Sequence, residues 1–126
     1  MTPFGAKLRQ LRDIRGVTLS QMAEELDVSA AYLSALEHGR RGRPTFAFTQ
    51  RIIGYFNVIW DDAEELQKLA AISDPRVTLD TAGLSPKATQ FANRIARDIH
   101  RLDEAALDEL DAVLDKRIER KSRKAR

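Results

Sequence analysis

Apolar residues recur at helical spacing along almost the whole chain. Phe4, Leu8, Leu11 and Arg15 step by four, three and four, which places them on one helix face that Gly16 closes. Thr18 offers an N-cap oxygen with Gln21 three residues on, a capping box that opens a second helix carrying Leu19, Met22, Ala23 and Leu26 inward. Asp27-Val28-Ser29 has room only for a tight turn, and Ser29 caps a third helix with Leu33 and Leu36 on its apolar side and Gly39 as its stop. After the helix-breaking run Arg40-Arg41-Gly42-Arg43-Pro44, a fourth helix starts near Thr45 with Phe46, Phe48, Ile52, Ile53 and Phe56 as buried candidates. A fifth covers roughly Trp60 to Ile72 and presents Ala63, Leu66, Leu69 and Ala70. Strand-type alternation is confined to Arg76-Val77-Thr78-Leu79-Asp80, read as an extended link.

The pattern lapses at Ser73-Asp74-Pro75 and stays polar and turn-prone to Gly83. Ser85-Pro86 is a cap followed by proline at the first helical position. Ala88, Phe91, Ala92, Ile95, Ile99 and Leu102 then form one stripe, which predicts a single helix through Leu102. Asp103 caps a seventh helix, with Leu102 and Leu107 placed as a hydrophobic staple and Leu107, Leu110, Val113, Leu114 and Ile118 along its apolar side. Beyond Arg120 a frayed basic end is expected. The resulting expectation is an all-α chain: a five-helix domain over 1–72, a linker over 73–84, a helical hairpin over 85–120 and a basic tail over 121–126.

Charge sharpens this division. Residues 1–60 carry a net +3, residues 61–115 a net −7 and residues 116–126 a net +6, within an overall +2. A basic head suits a polyanion and an acidic middle does not, so the two parts are expected to have different employments. The absence of cysteine excludes disulfides and thiolate chemistry. The two histidines, His38 and His100, are far apart in sequence, so no metal or other cofactor is expected. No apolar run approaches the roughly 18 residues of a membrane helix, and Met1-Thr2-Pro3-Phe4-Gly5 lacks the apolar core of a signal peptide. No membrane partner and a cytoplasmic location are therefore expected. The carboxylates show no catalytic spacing, and no glycine-rich phosphate loop, nucleophile elbow or His-Glu zinc motif occurs, which argues against an enzyme.

The informative stretch is Thr18 to Arg43. Two short helices across a three-residue turn make a helix-turn-helix if the second is free to enter a groove. The side of that helix opposite Leu33 and Leu36 is Ala30, Ala31, Ser34 and Ala35. A face meeting only water normally carries Lys, Glu and Arg. Small residues instead let the helix axis approach another surface, and alanine methyls can meet thymine methyls. Packing against the chain's own rear helices is the plainer alternative for this face, and a solvated loop is the plainer alternative for Arg40, Arg41 and Arg43. Their adjacency favours the groove, with the arginines on phosphates.

At this point residues 4 to about 69 resemble the phage-repressor-like (XRE) family of bacterial transcriptional regulators, which includes lambda repressor and Cro. The matching segments are Leu8-Arg9-Gln10-Leu11-Arg12, Thr18-Leu19-Ser20-Gln21-Met22-Ala23 and Val28 through Gly39. The resemblance implies a lambda-repressor-like five-helix DNA-binding domain acting on double-stranded DNA. It implies that Ala23 lies where the two helices of the motif cross, that Val28, Leu33 and Leu36 are core, and that Ala30, Ala31, Ser34 and Ala35 hold the recognition positions. Thr18, Leu19, Ser29, Tyr32 and His38 fall beside the phosphates or at caps, and Arg12 and Glu37 stand where related domains join helices one and three by an ion pair. Leu19 and Ala30 depart from the polar residues common at their positions, and Asp27 replaces the usual turn glycine. Recognition is therefore expected to lean on methyl contacts, the arginine loop and DNA shape.

The rear stripe cannot bury itself as an isolated hairpin. It either folds back on the head or pairs with a second copy through Phe91, Ile95, Ile99, Leu107, Leu110 and Leu114. The homodimer is preferred, because a five-helix head is normally self-sufficient. It gives a regulator, with repression favoured, on a roughly palindromic operator. The alternative is an antitoxin or adaptor whose hairpin holds a protein partner while the head binds DNA to autoregulate.

Overall fold

A computed structural model describes residues 1–124, with side chains through Glu119, and shows seven α-helices and no strand among them. The chain forms two compact units, Met1–Thr78 and Leu79–Arg126. In the first, α1 (Pro3–Arg15), α2 (Leu19–Glu25), α3 (Ala30–Glu37), α4 (Phe46–Phe56) and α5 (Trp60–Ala71) follow one another. Local chemistry sets most of their ends. Gly16 takes the left-handed conformation (φ 71°) that ends α1. Thr18 and Gln21 make both halves of the capping box on α2, and Asp27 turns the chain at φ 57°. Thr2 adds a cap that sequence reading misses: its hydroxyl accepts from the Gly5 amide and donates to the Glu37 carbonyl.

Packing in this unit runs α2 on α3, α4 on α5, and α1 on both α3 and α5. Phe4, Leu8, Met22, Leu33, Leu36, Ile52 and Leu66 are fully buried at the centre. Each such side chain contributes about 1.5–3 kcal/mol of transfer free energy, which is what holds helices too short to persist alone. The first turn of α1 meets the end of α3 without a side chain between them. A Cβ on Gly5 would stand 2.0 Å from the Glu37 carbonyl oxygen. At the other end of α1, the Arg15 guanidinium lies 5.1 Å from the Tyr55 ring centroid and donates to the Tyr55 carbonyl. Burial, and then the neighbouring Glu25 carboxylate, raise the pKa of the Tyr55 phenol.

Several buried candidates sit further out than their spacing predicts. Phe46 is 69% exposed because it occupies the first position of α4, at the margin of the stripe made by Phe48, Ile52 and Ile53. Leu11, Leu19, Val28, Phe56, Ala63 and Leu69 pack on the core from its edge rather than inside it. The unit also continues past α5 into residues assigned to the linker. Ser73 is buried, accepts a hydrogen bond from the Phe4 amide at 2.9 Å and donates to the Leu69 carbonyl.

The second unit begins with an Asp80–Ala82 turn and Gly83 at φ 80°. Ser85 caps α6 (Pro86–Asp98) with proline at its start. Here the structure corrects the single helix predicted through Leu102. The α-helix ends at Asp98, and Ile99–Arg101 form a 3-10 turn. A 3-10 turn keeps apolar residues three apart, so the stripe alone does not reveal the change. The Asp103 carboxylate accepts from the Ala106 amide at 2.8 Å and opens α7 (Glu104–Lys124). That helix runs beyond Arg120, where fraying was expected; Lys and Arg are good helix formers and suit the negative end of the helix dipole. Ala125 and Arg126 of the basic tail lie outside the described residues. Within this unit α6 packs on the 3-10 turn, and no extended packing of α6 on α7 occurs among the described residues. No side chain described in this unit is buried. Among the described residues, no helix is long and apolar enough to cross a membrane.

Candidate nucleic-acid interface

The site is built on α3, which is short but held at both ends. The Ser29 hydroxyl accepts from the Tyr32 amide at 3.0 Å. At the other end His38 Nδ1 lies 2.9 Å from the Ser34 carbonyl, which can only accept, so Nδ1 carries the proton there. Leu33 and Leu36 point into the core. The opposite side presents Ala30 and Ala31, both exposed, with Ser34 and Ala35 half-buried beside them. The surface offered is therefore smooth, methyl-bearing and close to the helix axis.

A buried ion pair joins α3 to α1. Arg12 on α1 places Nε 3.1 Å and Nη2 2.9 Å from Glu37 Oε1, and the two side chains are only 11% and 4% exposed. The Glu37 carbonyl also accepts from the Thr2 amide at 3.1 Å. The end of α3 is thus tied to the start and the middle of α1.

Flanking groups divide into those that gather at α3 and those that do not. Tyr32 is half-buried, edge-on to Phe48 with centroids 5.7 Å apart, and the Arg41 guanidinium lies 5.7 Å from its ring centroid. Arg40 and Arg41 line one cavity, whereas Arg43 lines another with Pro44, Thr45, Phe46, Gln67, Ala70 and Ala71. All three arginines are exposed, and none makes an ion pair among the described residues. Thr18 is exposed with its hydroxyl engaged by the Gln21 amide at 3.1 Å. The Leu19 side chain turns toward the core, so this position offers backbone rather than side chain to anything outside. Sequence reading passed over Arg51, whose guanidinium lies 5.4 Å from the Phe48 ring centroid and donates to the Leu26 carbonyl, bracing the end of α2.

The residues proposed for pairing lie on unit 2. Phe91 is 55% exposed, Ile99, Leu107, Leu110 and Leu114 are exposed, and Ile95 is half-buried. Among the described residues no three His, Asp or Glu side chains come together as a metal site.

Residues 3–71 match a family model described as a helix-turn-helix domain. The HTH-type transcriptional regulator RghRB of Bacillus subtilis is 36% identical over 62 residues, which cover 49% of this chain and 45% of that protein. The HTH-type transcriptional repressor RghR of the same organism is 42% identical over 52 residues, 41% of this chain and 38% of that one. The HTH-type transcriptional regulator SinR, also from B. subtilis, is 29% identical over 55 residues, 44% and 50% of the two chains. The chain thus spans half or less of the curated relatives it matches, and no solved structure matches it. Capped α2 and α3 across a left-handed Asp27 turn, the α1–α3 ion pair and these matches give one conclusion: the chain belongs to the phage-repressor-like (XRE) family of helix-turn-helix proteins.

Proposed function

We propose that this protein is a sequence-specific DNA-binding transcriptional regulator that works as a homodimer on a roughly palindromic operator and represses by occupying it. The observation that carries the reading is the exposed Ala30–Ala31 face of α3, on a helix capped at both ends and braced by Arg12–Glu37. That face enters the major groove, where methyls meet thymine methyls and the low profile brings Ser34 within reach of base edges. Arg40, Arg41 and Arg43 hold phosphates on either side. Two protomers bring six such arginines, enough for affinity to fall about a thousandfold between 50 and 200 mM salt. Repression is the sense favoured by the relative named a repressor.

The dimer is supported by unit 2, whose apolar residues stay exposed in the single chain. The charge order of α7 favours an antiparallel partner: residues 104–115 hold five acids and no Lys or Arg, while residues 116–124 hold six Lys or Arg and one acid. Antiparallel copies set acid against base along the seam, and parallel copies set like against like. Selection of bound fragments from genomic DNA, with the mass of the free protein measured alongside, tests the whole. The reading expects a dimer and paired half-sites about 34–36 Å apart. A monomer that copurifies with a basic protein supports an antitoxin or adaptor instead, and random fragments contradict sequence-specific binding.

A further inference from the structure

The chain does not leave the first unit at the end of α5. Ser73 fastens it to the start of α1, and Pro75 then lies against Gly39, where an added Cβ would stand 3.2 Å from Pro75 Cγ and 2.8 Å from Thr2 Cγ2. The Asp74 carboxylate accepts from the Arg76 amide at 3.0 Å and turns the backbone once more. Residues more than thirty positions apart in sequence thereby line one cavity of about 320 Å³: Gly39, Arg40, Arg41 and Gly42 from the loop after α3, with Asp74, Pro75 and Arg76 from the segment after α5.

The chemistry of this hollow is lopsided. Three arginines and a single acid, Asp74, line it, and the Asp74 carboxylate already accepts from the Arg76 amide. None of the three arginines has an ion-pair partner among the described residues. Among the described residues Arg76 thus makes no bond that its charge would explain, while guanidinium geometry suits phosphate oxygens. The cavity is many times the ~30 Å³ share of one water, so a hydrated phosphate group fits. Arg41 reaches from it to the Tyr32 ring, which joins the hollow to α3 itself.

We propose that Arg76 is a further DNA-contacting residue and that, with Arg40 and Arg41, it holds a backbone phosphate at the C-terminal end of α3. This rests on the DNA-binding reading and extends the footprint beyond the helix-turn-helix to the segment after the fifth helix. Such a contact positions the protein without reading bases, so it acts alike on every sequence.

The test uses the full chain and its Arg76→Gln and Arg76→Lys variants, with a duplex from the genomic selection and a scrambled duplex of the same length, each across a range of salt. Arg76→Gln is expected to weaken binding to both duplexes about tenfold, with the preference between them kept and the salt slope reduced by about 0.9 per bound protomer. Arg76→Lys is expected to keep the slope while losing part of the affinity. An Arg76→Gln protein with unchanged affinity and slope overturns the proposal. So does a cavity that loses inorganic phosphate, followed through the Gly39 and Gly42 amide resonances, while duplex binding is untouched: its ligand is then a free anion. Ala31→Glu, measured in parallel, separates the two levels of the argument. If it abolishes binding while Arg76→Gln changes nothing, the inference about Arg76 fails and the regulator reading stands; if it binds normally, that reading fails first.

Discussion

The ion pair between Arg12 and Glu37 ties α3 to α1, and its removal has a calculable cost. Both side chains are almost wholly withdrawn from water, and both close nitrogen contacts fall on one carboxylate oxygen. Replacing Arg12 by Met leaves the Glu37 carboxylate buried without its cation, which costs about 3–5 kcal/mol. A unit of this size, Met1–Thr78, is stable by about 4–12 kcal/mol. The single variant therefore loses a large share of its stability, or about 12–40 °C in melting temperature. The double variant Arg12→Met with Glu37→Leu removes both charges and is expected to recover most of the loss. Native-state hydrogen exchange of the α1 and α3 amides reads the free energy of this unit alone. Far-UV circular dichroism would add in α6 and α7, and the single tryptophan, Trp60, is 84% exposed and a poor reporter. A loss below about 1 kcal/mol for Arg12→Met, or a double variant no more stable than the single, would refute the reasoning, since the pair would then behave as an exposed one.

Other expectations follow from single contacts. Gly5→Ala drives a methyl into the Glu37 carbonyl and is expected to cost about 1–3 kcal/mol or more in thermal unfolding; a change within about 0.5 kcal/mol would show that α1 and α3 separate freely. The proposed pairing through unit 2 predicts that Leu110→Lys combined with Leu114→Lys halves the mass seen by light scattering without changing hydrogen exchange in α1 and α3, and an unaltered mass would count against that interface. The pKa of Tyr55 is raised, so its contribution is complete below the unfolded phenol value of about 10 and is lost as pH climbs through the higher folded value. Between pH 8 and 12, the wild type should therefore lose stability relative to Tyr55→Phe, and parallel profiles would count against a perturbed phenol.

What the sequence discloses here is what local chemistry decides. Caps at Thr18, Ser29 and Ser85, the glycine end of α1 and the Asp27 turn need only neighbours within four residues, so residue order suffices to find them. The exposed side of α3 is visible for a similar reason, because Leu33 and Leu36 leave only one face for Ala30 and Ala31. Contacts across the fold are another matter. Gly5 looks like any glycine until α3 is laid against it, and Pro75 looks like a linker residue until it meets Gly39. Arg12 and Glu37 are 25 positions apart and are paired in advance only by resemblance to related domains. On unit 2 the stripe announces an apolar face but not the 3-10 turn after Asp98, because both helix types keep residues three apart on one side. Nor does an amphipathic pattern say what covers it.

The central claim is that the small-residue face of α3 meets the base edges, and Ala31→Glu tests it most directly. Ala31 is exposed in the first turn of α3, where an acidic residue is welcome to the helix, so the fold is expected to survive with unchanged hydrogen exchange. The same carboxylate would be driven among nucleobase edges and phosphates, and binding to the selected duplex is expected to vanish. A folded Ala31→Glu protein that binds that duplex as tightly as the wild type would contradict the account.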